Sequence, residues 1–131
     1  MADMERKSIK KILEKIRNLE RRRRRILQKL LREDPILSGS LSQVERRCGK
    51  PNCFCAKGQR GHRQLQVVFL EEGRRRCRTI RNADIDQVRL WDQDSKKFRN
   101  AVGDLKAIQN EQLDLLNGLK EARSQIYRSG N

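Results

Sequence analysis

Cys48, Cys53 and Cys55 fall within eight residues of one another in the stretch Arg46-Arg47-Cys48-Gly49-Lys50-Pro51-Asn52-Cys53-Phe54-Cys55-Ala56-Lys57-Gly58. His62, the only histidine of the chain, follows Cys55 by seven positions. Thiolates and imidazoles are the preferred protein ligands of tetrahedral zinc, and a loop punctuated by Gly, Pro and Asn lets closely spaced cysteines converge on one ion. The spacing is not that of a double Cys-x-x-Cys ribbon, because only Phe54 separates Cys53 from Cys55. It reads as a zinc-knuckle-like loop with Cys48, Cys53 and Cys55 as three ligands. His62 and, farther along, Cys77 are the two candidates for the fourth. The plainer alternative is reduced thiols acting as small apolar side chains or as a redox pair. Metal is preferred, since thiol clusters this dense outside secreted proteins more often bind it.

Basic side chains surround this loop: Arg46, Arg47, Lys50, Lys57, Arg60 and Arg63, then Arg74, Arg76 and Arg78. The 131-residue chain carries 32 Lys+Arg against 17 Asp+Glu, a formal net charge of +15. The excess is uneven: +8 over residues 1–33, +7 over 34–82 and zero over 83–131. A polyanion is the natural partner of such a surface, because each Lys or Arg docked on a phosphate releases condensed counterions. Charge alone would also suit an acidic protein or an anionic membrane.

Two long helices are expected to flank the loop. From about Asp3 to Glu33, apolar residues recur at Ile9, Ile12, Leu13, Ile16, Leu19, Ile26, Leu27 and Leu30, a heptad stripe interrupted by Arg23, which an acid of an opposing helix could neutralise. Lys10, Arg17 and Arg24 recur at one heptad position with Lys11, Arg25 and Arg32 beside them, and the run Arg21 to Arg25 covers every side of the helix. That basic stripe is either a solvated face or a phosphate-tracking surface, to which Arg17, Arg21, Arg24 and Arg25 would contribute. Asp34-Pro35 should end the helix. A second helix is expected from Asn82, its cap, to about Tyr127, with Val88, Trp91, Phe98, Val102, Leu105, Leu116, Leu119 and Ile126 in its stripe and Ser95, Gln109, Gln112 and Arg123 as polar interruptions.

Between the helices, a strand is expected at Leu41 to Arg47, a second at Leu65 to Leu70, a turn at Glu71-Glu72-Gly73-Arg74 and a third strand at Arg75 to Ile80. The expected fold is therefore mainly α with a small β insert: two long helices pairing as an antiparallel coiled-coil hairpin, with the cysteine-rich loop and a β-hairpin at one end. Its segments are a basic N-terminal helix (1–33), the knuckle and hairpin (34–82) and a long C-terminal helix (83–131), forming one structural unit. With 35% apolar residues and few aromatics, the composition suits narrow helical seams better than a thick core.

Gly39-Ser40-Leu41, Cys48 to Cys55, Gly61-His62 and Gly73 together resemble the pattern of a small, poorly characterised prokaryotic family of short basic proteins, over roughly residues 36–92. The resemblance implies that His62, rather than Cys77, completes the metal site. Arg63-Gln64-Leu65 departs from the Gly-Pro-aromatic step of the relatives. It brings no established activity.

The function expected from these residues is non-enzymatic nucleic-acid binding, DNA or RNA, with the knuckle and arginine-bearing hairpin gripping phosphates and the first helix extending the basic track. Phe54 either stacks on a base or packs beneath its own loop. One histidine and no glycine-rich phosphate loop leave no catalytic constellation. The competing expectation is a coiled-coil assembly or adaptor protein whose knuckle is a structural staple, its seam taking a homodimer or another helix. No apolar run is long enough to cross a bilayer, and Met1 to Glu5 lacks a signal-peptide core, so a cytoplasmic, reducing location is expected.

Overall fold

The computed structural model describes residues 2–47, 49–58 and 61–129. In chain order the elements are α1 (Ala2–Leu30), β1 (Ser40–Arg46), a single-turn α2 (Phe54–Lys57), β2 (His62–Glu71), β3 (Arg74–Thr79), a 3-10 turn (Asn82–Asp84) and α3 (Ile85–Arg123). They form two compact units: residues 1–32 with 98–131, and residues 33–97. Among the described residues, no helix is long and apolar enough to cross a membrane.

The second unit is built on a three-stranded antiparallel sheet in the order β1-β2-β3. The β2 segment Leu65-Gln66-Val67-Val68-Phe69-Leu70 is rich in strand formers, and Val67 is buried at the sheet centre. Glu71 pairs with Arg74, leaving Glu72 and Gly73 as a two-residue loop. Both have positive φ, 52° and 77°, the condition of a type I′ hairpin turn, whose twist matches that of the flanking strands. The first helical turns of α3 contribute Val88, Asp92 and Ser95 as buried residues, spaced as one helix face. The backbone N–H of Leu37 donates to the Trp91 carbonyl at 3.1 Å, fixing the residues that lead into β1. Buried Asp92 is neutralised by Lys96, one turn on, at 3.0 Å.

The first unit holds α1 and the remainder of α3. Every apolar residue expected in the α1 stripe is half-buried, and α1 ends at Leu30, before Asp34-Pro35. The two helices touch at defined points: Gln112 Nε2 donates to Glu20 Oε2 at 3.0 Å, and a Cβ on Gly118 would lie 3.9 Å from Ile12 Cδ1. Arg23 pairs with Glu20 on its own helix at 3.3 Å, not with an acid opposite.

The expected coiled-coil hairpin is not what forms. The helices meet at separated points without the continuous close backbone approach of a coiled coil, and no described residue of α1 is fully buried. Polar Glu20, Arg23 and Gln112 and small Ala101, Gly118 and Ala122 stand where interlocking apolar knobs would be required. The stripe of α3 also differs from the expected one. It runs through Ala101, Leu105, Ile108, Gln112, Leu115, Leu119 and Ala122, with Ile108 buried, whereas Leu116 is 46% exposed. Because α3 stops at Arg123, Ile126 and Tyr127 lie beyond it and are exposed. The strand expected at Leu41 to Arg47 forms as β1 and joins the β2–β3 hairpin in one three-stranded sheet.

Candidate metal centre

The knuckle is shaped by its turn residues. Lys50 accepts a hydrogen bond from the Cys53 backbone N–H at 3.2 Å, which closes a turn with Pro51 at its second position, where a fixed φ is an advantage. Cys53 then caps α2, accepting from the Ala56 N–H at 3.1 Å, and Gly58 N–H returns to the Phe54 carbonyl at 3.0 Å. This single helical turn, which strand and heptad patterns do not reveal, points the side chains of Cys53 and Cys55 toward the start of β2. There His62 is held by pairing with Arg46 at the end of β1.

The result is a cluster of three soft donors. One ligand atom each from Cys53, Cys55 and His62 lies within 4.8 Å of the others, and Cys53 Sγ is 3.0 Å from His62 Nε2. Cys55 is completely buried and Cys53 and His62 are half-buried, so the donors sit under a protein cover with limited access to water. Three such atoms could hold a metal ion. A tetrahedral zinc would need its sulfur and nitrogen ligands at about 2.3 and 2.0 Å, which asks the Cys53–His62 pair to open by only about 0.5 Å. Cys48, the other expected ligand, lies outside the described residues. Cys77 is not brought to the site. It pairs with Val68, six residues along β2 from His62 or about 20 Å at ~3.3 Å per residue, and its side chain is exposed.

Phe54 does not pack beneath the loop. Its ring is 68% exposed and meets the His62 imidazole edge-on, with centroids 4.9 Å apart and planes at 67°.

Two of the cations around the cluster are anchored. Arg47 Nη2 donates to the Gly58 carbonyl at 3.3 Å, tying the strand exit across the knuckle, and Arg46 Nη2 donates to Gln66 Oε1 at 3.1 Å. Lys50 is exposed on the turn; the side chain of Lys57 and all of Arg60 lie outside the described residues. Strand parity divides the rest. His62 shares a sheet face with Arg46, Gln66 and Val68, while Arg63, Arg74, Arg76 and Arg78 belong to the opposite face with Val67 and Phe69. On that face Arg63 lies 3.9 Å from Glu45, Arg76 lies 3.6 Å from Glu71, and the Arg78 guanidinium sits 5.6 Å from the Phe69 ring centroid. Gln66 and Phe69 thus support functional candidates although neither stood out in the sequence; only their alternation along β2 hinted at it. All six residues of β3 are exposed. In the helical unit, Arg17, Arg21, Arg24 and Arg25 are exposed on α1, with Arg21 donating to Asn18 at 2.6 Å and Arg24 3.8 Å from Glu20.

A family described as a domain of unknown function (DUF6788) matches residues 5–90, which include nearly all of α1, the knuckle, the whole sheet and the first turn of α3. The chain belongs to this family. No curated protein and no solved structure shows significant similarity to it. The family match covers every donor of the cluster and the full arginine row of β3, so both lie within the family's own domain.

Proposed function

We propose that this DUF6788 protein is a non-enzymatic nucleic-acid-binding protein in which a zinc ion, held by Cys53, Cys55 and His62 with Cys48 as the fourth ligand the sequence supplies, pins the knuckle, and β3 grips the phosphate backbone. The observation that carries this reading is the exposed row Arg74, Arg76 and Arg78 on an edge strand. Successive members are about 7 Å apart at ~3.3 Å per residue, a spacing that lets neighbouring guanidiniums take neighbouring phosphates of one strand. Among these three, only Arg76 is paired with an acid among the described residues, so little intramolecular pairing must be given up on binding. The net charge of +15 supports the same partner. The one histidine of the chain lies within the Cys53–Cys55–His62 cluster, which supports a binding rather than a catalytic role. Thiolate ligands suit a reducing compartment such as the cytoplasm.

The test is binding of a labelled oligonucleotide as a function of salt by wild type and by a variant with Arg74, Arg76 and Arg78 all changed to Gln. Loss of three phosphate contacts should lower the slope of log K against log salt by about 2 to 3 and weaken binding throughout. Unchanged affinity and slope would remove β3 from the binding surface.

A further inference from the structure

We infer that the knuckle recognises unpaired bases, Phe54 being the platform on which a base of single-stranded nucleic acid stacks; the inference rests on the nucleic-acid-binding reading above. Phe54 occupies the first position of α2 between two donors of the metal cluster, and it is 68% exposed although an apolar ring gains by burial. A ring that served only the packing of this loop would lie under it. Instead its one aromatic contact among the described residues is the edge-on meeting with His62, whose Nε2 is itself held 3.0 Å from Cys53 Sγ. That contact fixes the ring's orientation and leaves most of its surface to solvent, which is how a stacking residue is presented before its ligand arrives.

A cation is tied to the same turn. Gly58 uses its N–H on the Phe54 carbonyl and its own carbonyl on the Arg47 guanidinium, so two hydrogen bonds link Arg47 to Phe54 by way of Gly58. An exposed aromatic ring and an anchored guanidinium carried on one knuckle can take a base and a phosphate of the same strand. In a duplex the base faces are occupied by their neighbours, so only an unpaired base can use Phe54.

The experiment compares oligo-dT, oligo-rU and a duplex, each of about 12 nucleotides or pairs, by fluorescence anisotropy at matched salt, with bound metal measured in every sample. Wild type should bind at least one single strand about 10-fold more tightly than the duplex, and a preference between dT and rU would name the strand. Phe54→Leu, which keeps an apolar cover on His62, should retain the metal and the salt slope while losing about 10-fold on the single strand alone; Phe54→Tyr should restore it. Equal binding of both strand types by wild type, or full single-strand affinity in metal-bound Phe54→Leu, would overturn the base platform while leaving the phosphate grip intact. No salt-dependent binding of any probe by wild type would overturn both readings.

Discussion

Gly61 crosses the end of β1 so closely that a Cβ on it would lie 2.6 Å from the carbonyl carbon of Arg46 and 2.8 Å from its oxygen. Both are backbone atoms and cannot swing aside. A side chain at Gly61 would therefore push apart the strand ends whose pairing holds His62. Gly61→Ala should weaken metal binding by about 10- to 100-fold, the range seen when a ligand's supporting shell is disturbed. Competition against a chromophoric chelator measures it. Gly103→Ala is the control: nothing lies within 4 Å of a Cβ there, and the change should leave metal affinity alone while stabilising α3 by about 1 kcal/mol.

Cys53→Ser, Cys55→Ser and His62→Asn should each lower the metal content of the purified protein, and Cys77→Ser should not. Stripping the metal should open the Arg46–His62 end of the sheet first, because the cluster joins the knuckle to that pair. Hydrogen exchange with and without chelator would detect this as faster exchange at the start of β2 with unchanged protection in α1. Uniform loss of protection across both units would contradict it.

The pairing of Gln112 with Glu20 makes the helical unit sensitive to acid. The Gln112 amide hydrogen bond holds the Glu20 carboxyl below the ordinary glutamate range; partial burial opposes this, and Arg23 and Arg24 reinforce it. With the folded pKa depressed, the stabilisation is complete above the unfolded glutamate pKa and disappears as pH falls through the lower folded value. Glu20→Gln should be less stable than wild type at neutral pH, with the two denaturation midpoints converging in acid. A difference that stays constant with pH would show that charge at Glu20 contributes nothing.

Glu72 adopts a φ of 52°, a conformation that costs a side chain with a Cβ about 1 kcal/mol. Asn tolerates it better, so Glu72→Asn should stabilise the sheet unit by up to about 1 kcal/mol, visible as a raised Tm. Gly73→Val, at φ 77°, should do the reverse.

The sheet and the Cys53–Cys55–His62 cluster were the most legible parts of this sequence, and the helix pairing the least. Leu65 to Leu70 and the Glu-Gly turn are local signals, readable from neighbouring residues. Cys53, Cys55 and His62 declare themselves by type, because few other arrangements use those side chains together. Extending β2 back to His62 was not readable, since Arg63 and Gln64 are poor strand formers placed there by pairing with Glu45 and Val44. A heptad stripe shows that a helix has an apolar side, not what covers it. In α3 the adjacent residues Leu115 and Leu116 both fit a stripe, and only the structure chooses Leu115. The parity that sends His62 and the Arg74–Arg76–Arg78 row to opposite faces depends on strand register, which no local pattern fixes.

Strand β3 ends the sheet with an open hydrogen-bonding edge, and that edge is guarded by four arginines, Arg74, Arg75, Arg76 and Arg78. Two such edges repel each other, so the like charge keeps copies of the chain from adding strand to strand. A polyanion that neutralises the row would also lift this repulsion. The same side chains would then couple solubility to polyanion binding: turbidity should peak where added polyanion balances the protein's charge and clear again in excess of either.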